Sequence, residues 1–167
     1  MDIVQPIACT LNLLKNLNND NYIKHISILD YLLRLEKYFY CDKHNFICAL
    51  IYIDKYIQQK NTNKYCVYKL FLIYLTISIK FFNDDYYKNN YYCEVGGINI
   101  KEFNRLETEL LFSIGFELHI DIEIFNEYEE QIYNHVNICT TCNKKKIKTS
   151  YFPHNFVPPE LEQKTTH

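Results

Sequence analysis

Residues 70–79, LFLIYLTISI, form a ten-residue apolar run bracketed by Lys69 and Lys80. Ten residues are too few to cross a bilayer, so the run must be buried by protein. A second stretch, residues 43–59 (KHNFICALIYIDKYIQQ), is apolar on nearly every side when wound as a helix. A helix apolar all round needs neighbours on every side. Two such helices in one chain predict a compact helical globule rather than an open four-helix bundle.

Composition narrows this further. The 167 residues are enough for one domain with a real core, and at 48% apolar they are not a disordered chain. Three glycines and four prolines leave few tight turns, which argues against a many-stranded sandwich or barrel. The net charge of -2 gives no overall bias toward nucleic acid or acidic partners. Asn, Lys, Ile, Tyr and Phe are abundant, as an AT-rich codon bias would produce, and this abundance carries no functional weight. The seven cysteines are an odd number, most of them set singly among apolar residues. The start MDIVQPIACT lacks a basic region followed by a sustained apolar core. Reduced, mostly buried thiols are the expectation.

Helical periodicity organises the rest. Residues 4–17 repeat apolar side chains at 7, 11, 14 and 17. Ser27 with Asp30 resembles a capping box opening a helix with Ile28, Tyr31, Leu32, Leu35 and Phe39 on one face. Residues 43–59 form the next helix, ended by Asn61-Thr-Asn, and residues 64–82 another. The tyrosine-rich stretch at 83–98 reads as a polar loop. Asn99 with Glu102 opens a helix closed by Gly115, and Asp121 caps a last one to residue 137. The expectation is thus an N-terminal helix and linker (1–25), a five-helix unit (26–137) and a tail (138–167).

Catalytic motifs are lacking. The chain has no G-x-G-x-x-G, G-x-x-x-x-G-K-[ST], H-E-x-x-H or G-x-S-x-G. Gly96-Gly97 reads as an ordinary turn rather than a phosphate cradle, having neither a preceding strand nor a lysine at the helix start. Asp84-Asp85 reads as a solvated turn. Cys139-Thr-Thr-Cys142 is half of a zinc motif, which His135, one helical turn earlier, and His154 could complete. Set against it are the lack of a second C-x-x-C and the irregular setting of His154. Glu107 lies about 40° from Phe103, at the margin of the stripe Phe103, Leu106, Leu110 and Ile114. An acid there needs a partner. An intrachain pair with a lysine and a functional contact both answer that need.

Four segments, "SILDYLLRLEKY", "ALIYIDKYI", "ISIKFFNDDYYKNNYYCEVGGI" and "EFNRLETELLFSIGFELHI", resemble the cyclin box of P/U-type cyclins, the phosphate-signalling kind. The resemblance covers residues 26–128, and the helix at 4–17 is similar to the family's extra N-terminal helix. It implies an all-α, five-helix cyclin box around a central helix at 43–59. It implies no catalysis and no cofactor, but the binding and activation of a cyclin-dependent protein kinase in cytoplasm or nucleus. Membrane and nucleic acid are not expected partners. A cyclin-box adaptor with a non-kinase partner shares the same fold. The family's kinase-contacting lysine and glutamate match Lys80 and Glu107, and its apolar contacts match Ile77, Phe81, Leu111, Phe116 and Leu118. Tyr31 and Arg34 stand where many mitotic cyclins carry a tryptophan and an acid lining a groove for basic peptides. Arg34 would repel such a peptide, and an ordinary surface arginine, or one paired with Asp54, is the simpler reading.

Overall fold

A computed structural model describes residues 3–17, 26–60, 65–139 and 164–165. Among the described residues there are seven helices: α1 (Val4–Leu17), α2 (Ile28–Tyr38), α3 (Lys43–Lys60), α4 (Val67–Phe82), α5 (Asn89–Gly96), α6 (Ile100–Ser113) and α7 (Ile122–Ile138). Strand β1 (Tyr86–Tyr87) pairs antiparallel with β2 (Lys164–Thr165), Tyr86 opposite Thr165 and Tyr87 opposite Lys164. The expected linker at 18–25 and most of the expected tail lie outside the described residues.

The helix starts follow local chemistry. Ser27 accepts from the backbone N–H of Asp30 at 3.1 Å and donates to the Asp30 carboxylate at 2.6 Å. Asn99 accepts from the N–H of Lys101 at 2.8 Å. These side chains satisfy N–H groups that the first turn leaves without partners. Asp121 occupies the N-cap of α7 but makes no capping bond. Its carboxylate lies 3.4 Å from His119 Nε2 instead.

Every residue from Leu70 to Ile79 is buried, and so is every residue from Asn45 to Ile53. The centre of the molecule is therefore shared by α3 and α4, which pack along each other. The polar side chains they carry inward are bonded. Thr76 donates to the Leu72 carbonyl, and Asn45 donates to Ser78 and Asn83 while accepting from the N–H of Asp42. Helix α6 packs against α4 and α3, α7 against α3, and α2 against α4. Helix α1 places Val4, Ile7, Ala8 and Leu11 in the same core, between α2, α4 and α7, and Ile3 just before it is buried there too.

The stretch read as a polar loop differs most from expectation. Residues 89–96 are helical, and Tyr91, Tyr92, Cys93 and Val95 are buried. Tyr87 and Tyr91 stack with ring centroids 4.0 Å apart. Tyr91 donates to the carbonyl of Tyr38, while Tyr92 accepts from the N–H of Tyr87. The two glycines have separate reasons. Gly97 takes a left-handed φ of 67° and ends α5, its N–H and that of Ile98 bonding back into the helix. Gly96 is buried against α4, and a Cβ there would lie 2.4 Å from Leu72 Cδ2. The Tyr31 hydroxyl donates to its carbonyl.

Gly96→Ala is expected to lower stability by about 1–3 kcal/mol, because Leu72 is fully buried and must shift within a packed core. Urea unfolding measures this, and an unchanged midpoint would contradict the close approach. A second expectation concerns alkali. Burial raises the hydroxyl pKa of Tyr52, Tyr74, Tyr92 and Tyr128 well above the usual value, and that of Tyr91 to about 12. These groups stay neutral in the folded chain while the unfolded chain ionises near pH 10. Their contribution is thus full below pH 10 and is lost as pH rises from there through the folded values. The urea midpoint should fall steadily above pH 10, with the phenolate absorbance of these five tyrosines appearing together with loss of helix rather than before it.

Candidate functional site

Lys80 ends the last turn of α4, where a cation is favoured by the helix dipole. Its ammonium donates to Glu107 Oε1 of α6 and to Asn89 Oδ1 of α5, both at 2.5 Å. Asn89 Nδ2 donates to Glu107 Oε2 at 3.0 Å and to Asn104 Oδ1 at 2.7 Å. The three side chains close a triangle that ties α4, α5 and α6 together. The Lys80 and Glu107 side chains keep 26% and 17% of their surface exposed. The intrachain pair read from the stripe margin is therefore present, and it sits at the surface. An ammonium has three protons and a carboxylate about four acceptor positions. The triangle thus retains one donor and two acceptor positions. Cys93 lies beneath, its thiol pushed up to about 12 by burial first and then by Glu107 and Glu94.

The apolar residues expected beside this pair divide by depth. Phe81 is 49% exposed and Phe116 54%, while Leu111 and Leu118 are half-buried. Ile77 is only 3% exposed, a core residue beneath the surface that offers a partner little area. Its position in the middle of α4, enclosed on all sides, is the reason. Phe112 is 68% exposed and was missed. It stands about 180° from Phe103 around α6, opposite the buried stripe, and that misplacement was visible in the pattern.

The exposed rings are held in pairs. Phe112 and Phe116 meet edge to face at 4.9 Å, as do Phe81 and Phe82 at 4.8 Å. His44 is in ring contact with both Phe82 and Phe125. The segment after α6 is fastened to α3: Tyr52 donates to the Leu118 carbonyl at 2.7 Å and Lys55 to the Glu117 carbonyl at 3.3 Å. Gly115 and Phe116 both take left-handed φ values, 63° and 59°. For phenylalanine that conformation is strained by about 1–2 kcal/mol.

Two other sequence expectations fare differently. Tyr31 does not line a surface groove. It is buried, meets Tyr68 edge to face at 5.2 Å and bonds the end of α5, because α5 covers that side of α2. Arg34 is half-buried, and Asp54 accepts the Tyr128 hydroxyl of α7. Of the metal-ligand candidates, His135 and Cys139 come together, joined by Cys9 of α1. Cys142 and His154 lie outside the described residues. No described helix is long and apolar enough to cross a membrane.

An all-α globule built on two largely buried neighbouring helices, with a Lys–Glu pair at its surface, is the architecture of a cyclin box. The family model for cyclins matches residues 12–118. Cyclin-U4-3 of Arabidopsis thaliana is 40% identical over 106 residues, covering 62% of this chain and 48% of the relative. Cyclin-U4-2 of the same plant is 39% identical over 132 residues, 77% of this chain and 56% of the relative. Cyclin-P3-1 of Oryza sativa subsp. japonica is 38% identical over 105 residues, 62% of this chain and 44% of the relative. The chain belongs to the cyclin family, and within it to the P/U-type group. It spans about half the length of the curated relatives it matches.

Asn89→Ala removes two hydrogen bonds of the triangle and the bond to Asn104, but neither charge. Stability is expected to fall by about 1–2 kcal/mol. Nuclear magnetic resonance of the Lys80 ammonium should show faster proton exchange, and an unchanged signal would contradict the bracing role.

Proposed function

We propose that the chain is a regulatory subunit that binds a cyclin-dependent protein kinase and activates it by holding the kinase's αC helix in its swung-in position. The observation that carries this reading is the Lys80–Asn89–Glu107 triangle, with spare hydrogen-bonding capacity, beside exposed aromatic rings. An inactive kinase has αC displaced, so its glutamate cannot pair with the β3 lysine that holds the ATP phosphates. A surface that fits only the swung-in helix shifts the population toward it by differential affinity. Lys80 and Glu107 set the register through bonds to the partner backbone. Phe81, Phe116 and Leu111 supply most of the affinity.

Pre-organisation supports this. Rings already paired with neighbours lose little rotamer freedom on binding. The left-handed Phe116 is a local strain with no packing return in the core, and such strain clusters where function needs a side chain in a set place. Such a subunit works wherever its kinase does, in cytoplasm or nucleus.

The test is capture of the tagged chain from its own cells in mild salt, with kinase activity read on histone. A kinase should co-purify, and its absence would sink the reading. Lys80→Glu and Glu107→Lys should each abolish capture. The double exchange restores the ion pair with reversed polarity. It should recover folding stability but not kinase binding, and recovered binding would reduce the pair to a brace. Phe81→Ala should weaken binding by about 2 kcal/mol or more, roughly thirtyfold.

A further inference from the structure

Three ligand atoms from opposite ends of the described chain meet away from the kinase-facing surface. Cys9 lies on α1, His135 in the last turn of α7, and Cys139 caps that helix. One ligating atom from each lies within 4.8 Å of the other two, and all three residues are half-buried. His135 and Cys139 are four residues apart, so the helix sets them on one face. In a tetrahedral zinc site, bonds of about 2.0–2.3 Å put ligand atoms roughly 3.5–3.8 Å apart. Rotamer adjustments of about an ångström close the remaining difference.

Two further observations point to a ligand. His135 Nε2 is buried and finds no hydrogen-bond partner among the described residues. Native proteins rarely leave such an atom unmatched. Gln5 Nε2 donates to Cys9 Sγ at 3.6 Å, the outer contact that commonly orients a metal-binding thiolate. A cavity of about 230 Å³, lined by Thr10, Leu14, Asp54, Tyr128 and His135 among others, lies beside the cluster.

We propose that Cys9, His135 and Cys139 bind a thiophilic divalent cation, with zinc the fitting ion, and so clip α1 to the end of α7. On binding, the two thiols release their protons. The two thiolates then neutralise the dication, and the neutral imidazole adds no charge to a half-buried place. Soft sulfur with imidazole selects zinc over magnesium or calcium, which take oxygen ligands. The fourth position falls to water.

The experiment titrates the purified, reduced full chain with zinc and with cobalt(II), in competition with a chromogenic chelator. One ion per chain is expected, with a thiolate-to-cobalt charge-transfer band. Cys9→Ser, His135→Gln and Cys139→Ser should each weaken binding at least tenfold, since even outer-sphere changes weaken such sites by about 10–100-fold. The two serine variants should also dim the band. Cys66→Ser, remote on the loop before α4, should change neither. Far-UV circular dichroism checks that each variant folds, and the wild-type titration stands without them. Failure of the wild type to take up either ion at micromolar concentration overturns the proposal. So does a Cys9→Ser protein with undiminished affinity and band, which would take Cys9 out of the site. A Cys9–Cys139 disulfide in freshly isolated protein overturns it as well. None of these readouts depends on a kinase.

Discussion

A helix that ends inside a protein leaves carbonyl oxygens without partners, and each one buried bare is costly. In this chain buried tyrosines supply the missing donors. Tyr91 donates to the carbonyl of Tyr38 at the end of α2, Tyr31 to that of Gly96 at the end of α5, and Tyr74 to that of Leu110 in the last turn of α6. Tyr68 reaches the carbonyl of Ile26 just before α2, and Tyr52 that of Leu118 just after α6. Each bond crosses from one helix to the terminus of another or to the segment beside it. The tyrosine ring fills core volume, and its hydroxyl fixes where the neighbouring element stops. A phenylalanine would pack as well and leave the carbonyl bare.

These bonds explain how the surface site keeps its shape. Helix α5 is short and could not stand alone. Tyr31 and Tyr91 bond it to α2, Gly96 sits tight on Leu72 of α4, and Asn89 joins it to α6. With α5 fixed on three sides, Lys80 and Glu107 are held at the distance that a triangle allows. The site is thus a product of core packing, displayed at the surface by the ends of helices.

Much of this was legible in the sequence. The caps Ser27 and Asn99, the all-round apolar runs at 43–59 and 70–79, and Gly115 mark helices that the structure contains. Glu107 at the margin of its stripe announced a partner, and Lys80 is that partner. Helix α5 was not legible. Paired asparagines, tyrosines and glycines carry turn chemistry, and only contacts with α2 and α4 make them helical. Asn89 was hidden for the same reason, since nothing local distinguishes it from Asn90. The tyrosines were read as a compositional accident, because a hydroxyl's partner 65 residues away leaves no periodic trace. Cys9 was missed as a companion of His135 because that pairing spans nearly the whole described chain.

That span bears on how the chain assembles. Helices α3 and α4 are sequence neighbours, as are α5 and α6, so their contacts close short loops. The contact of α1 with α7 closes the longest loop of all, with the largest entropy to overcome. In the order that loop closure sets, the α1–α7 seam forms late and opens early. The central pair and the helices that carry Lys80 and Glu107 can therefore be complete while the N-terminal helix is still searching for its place.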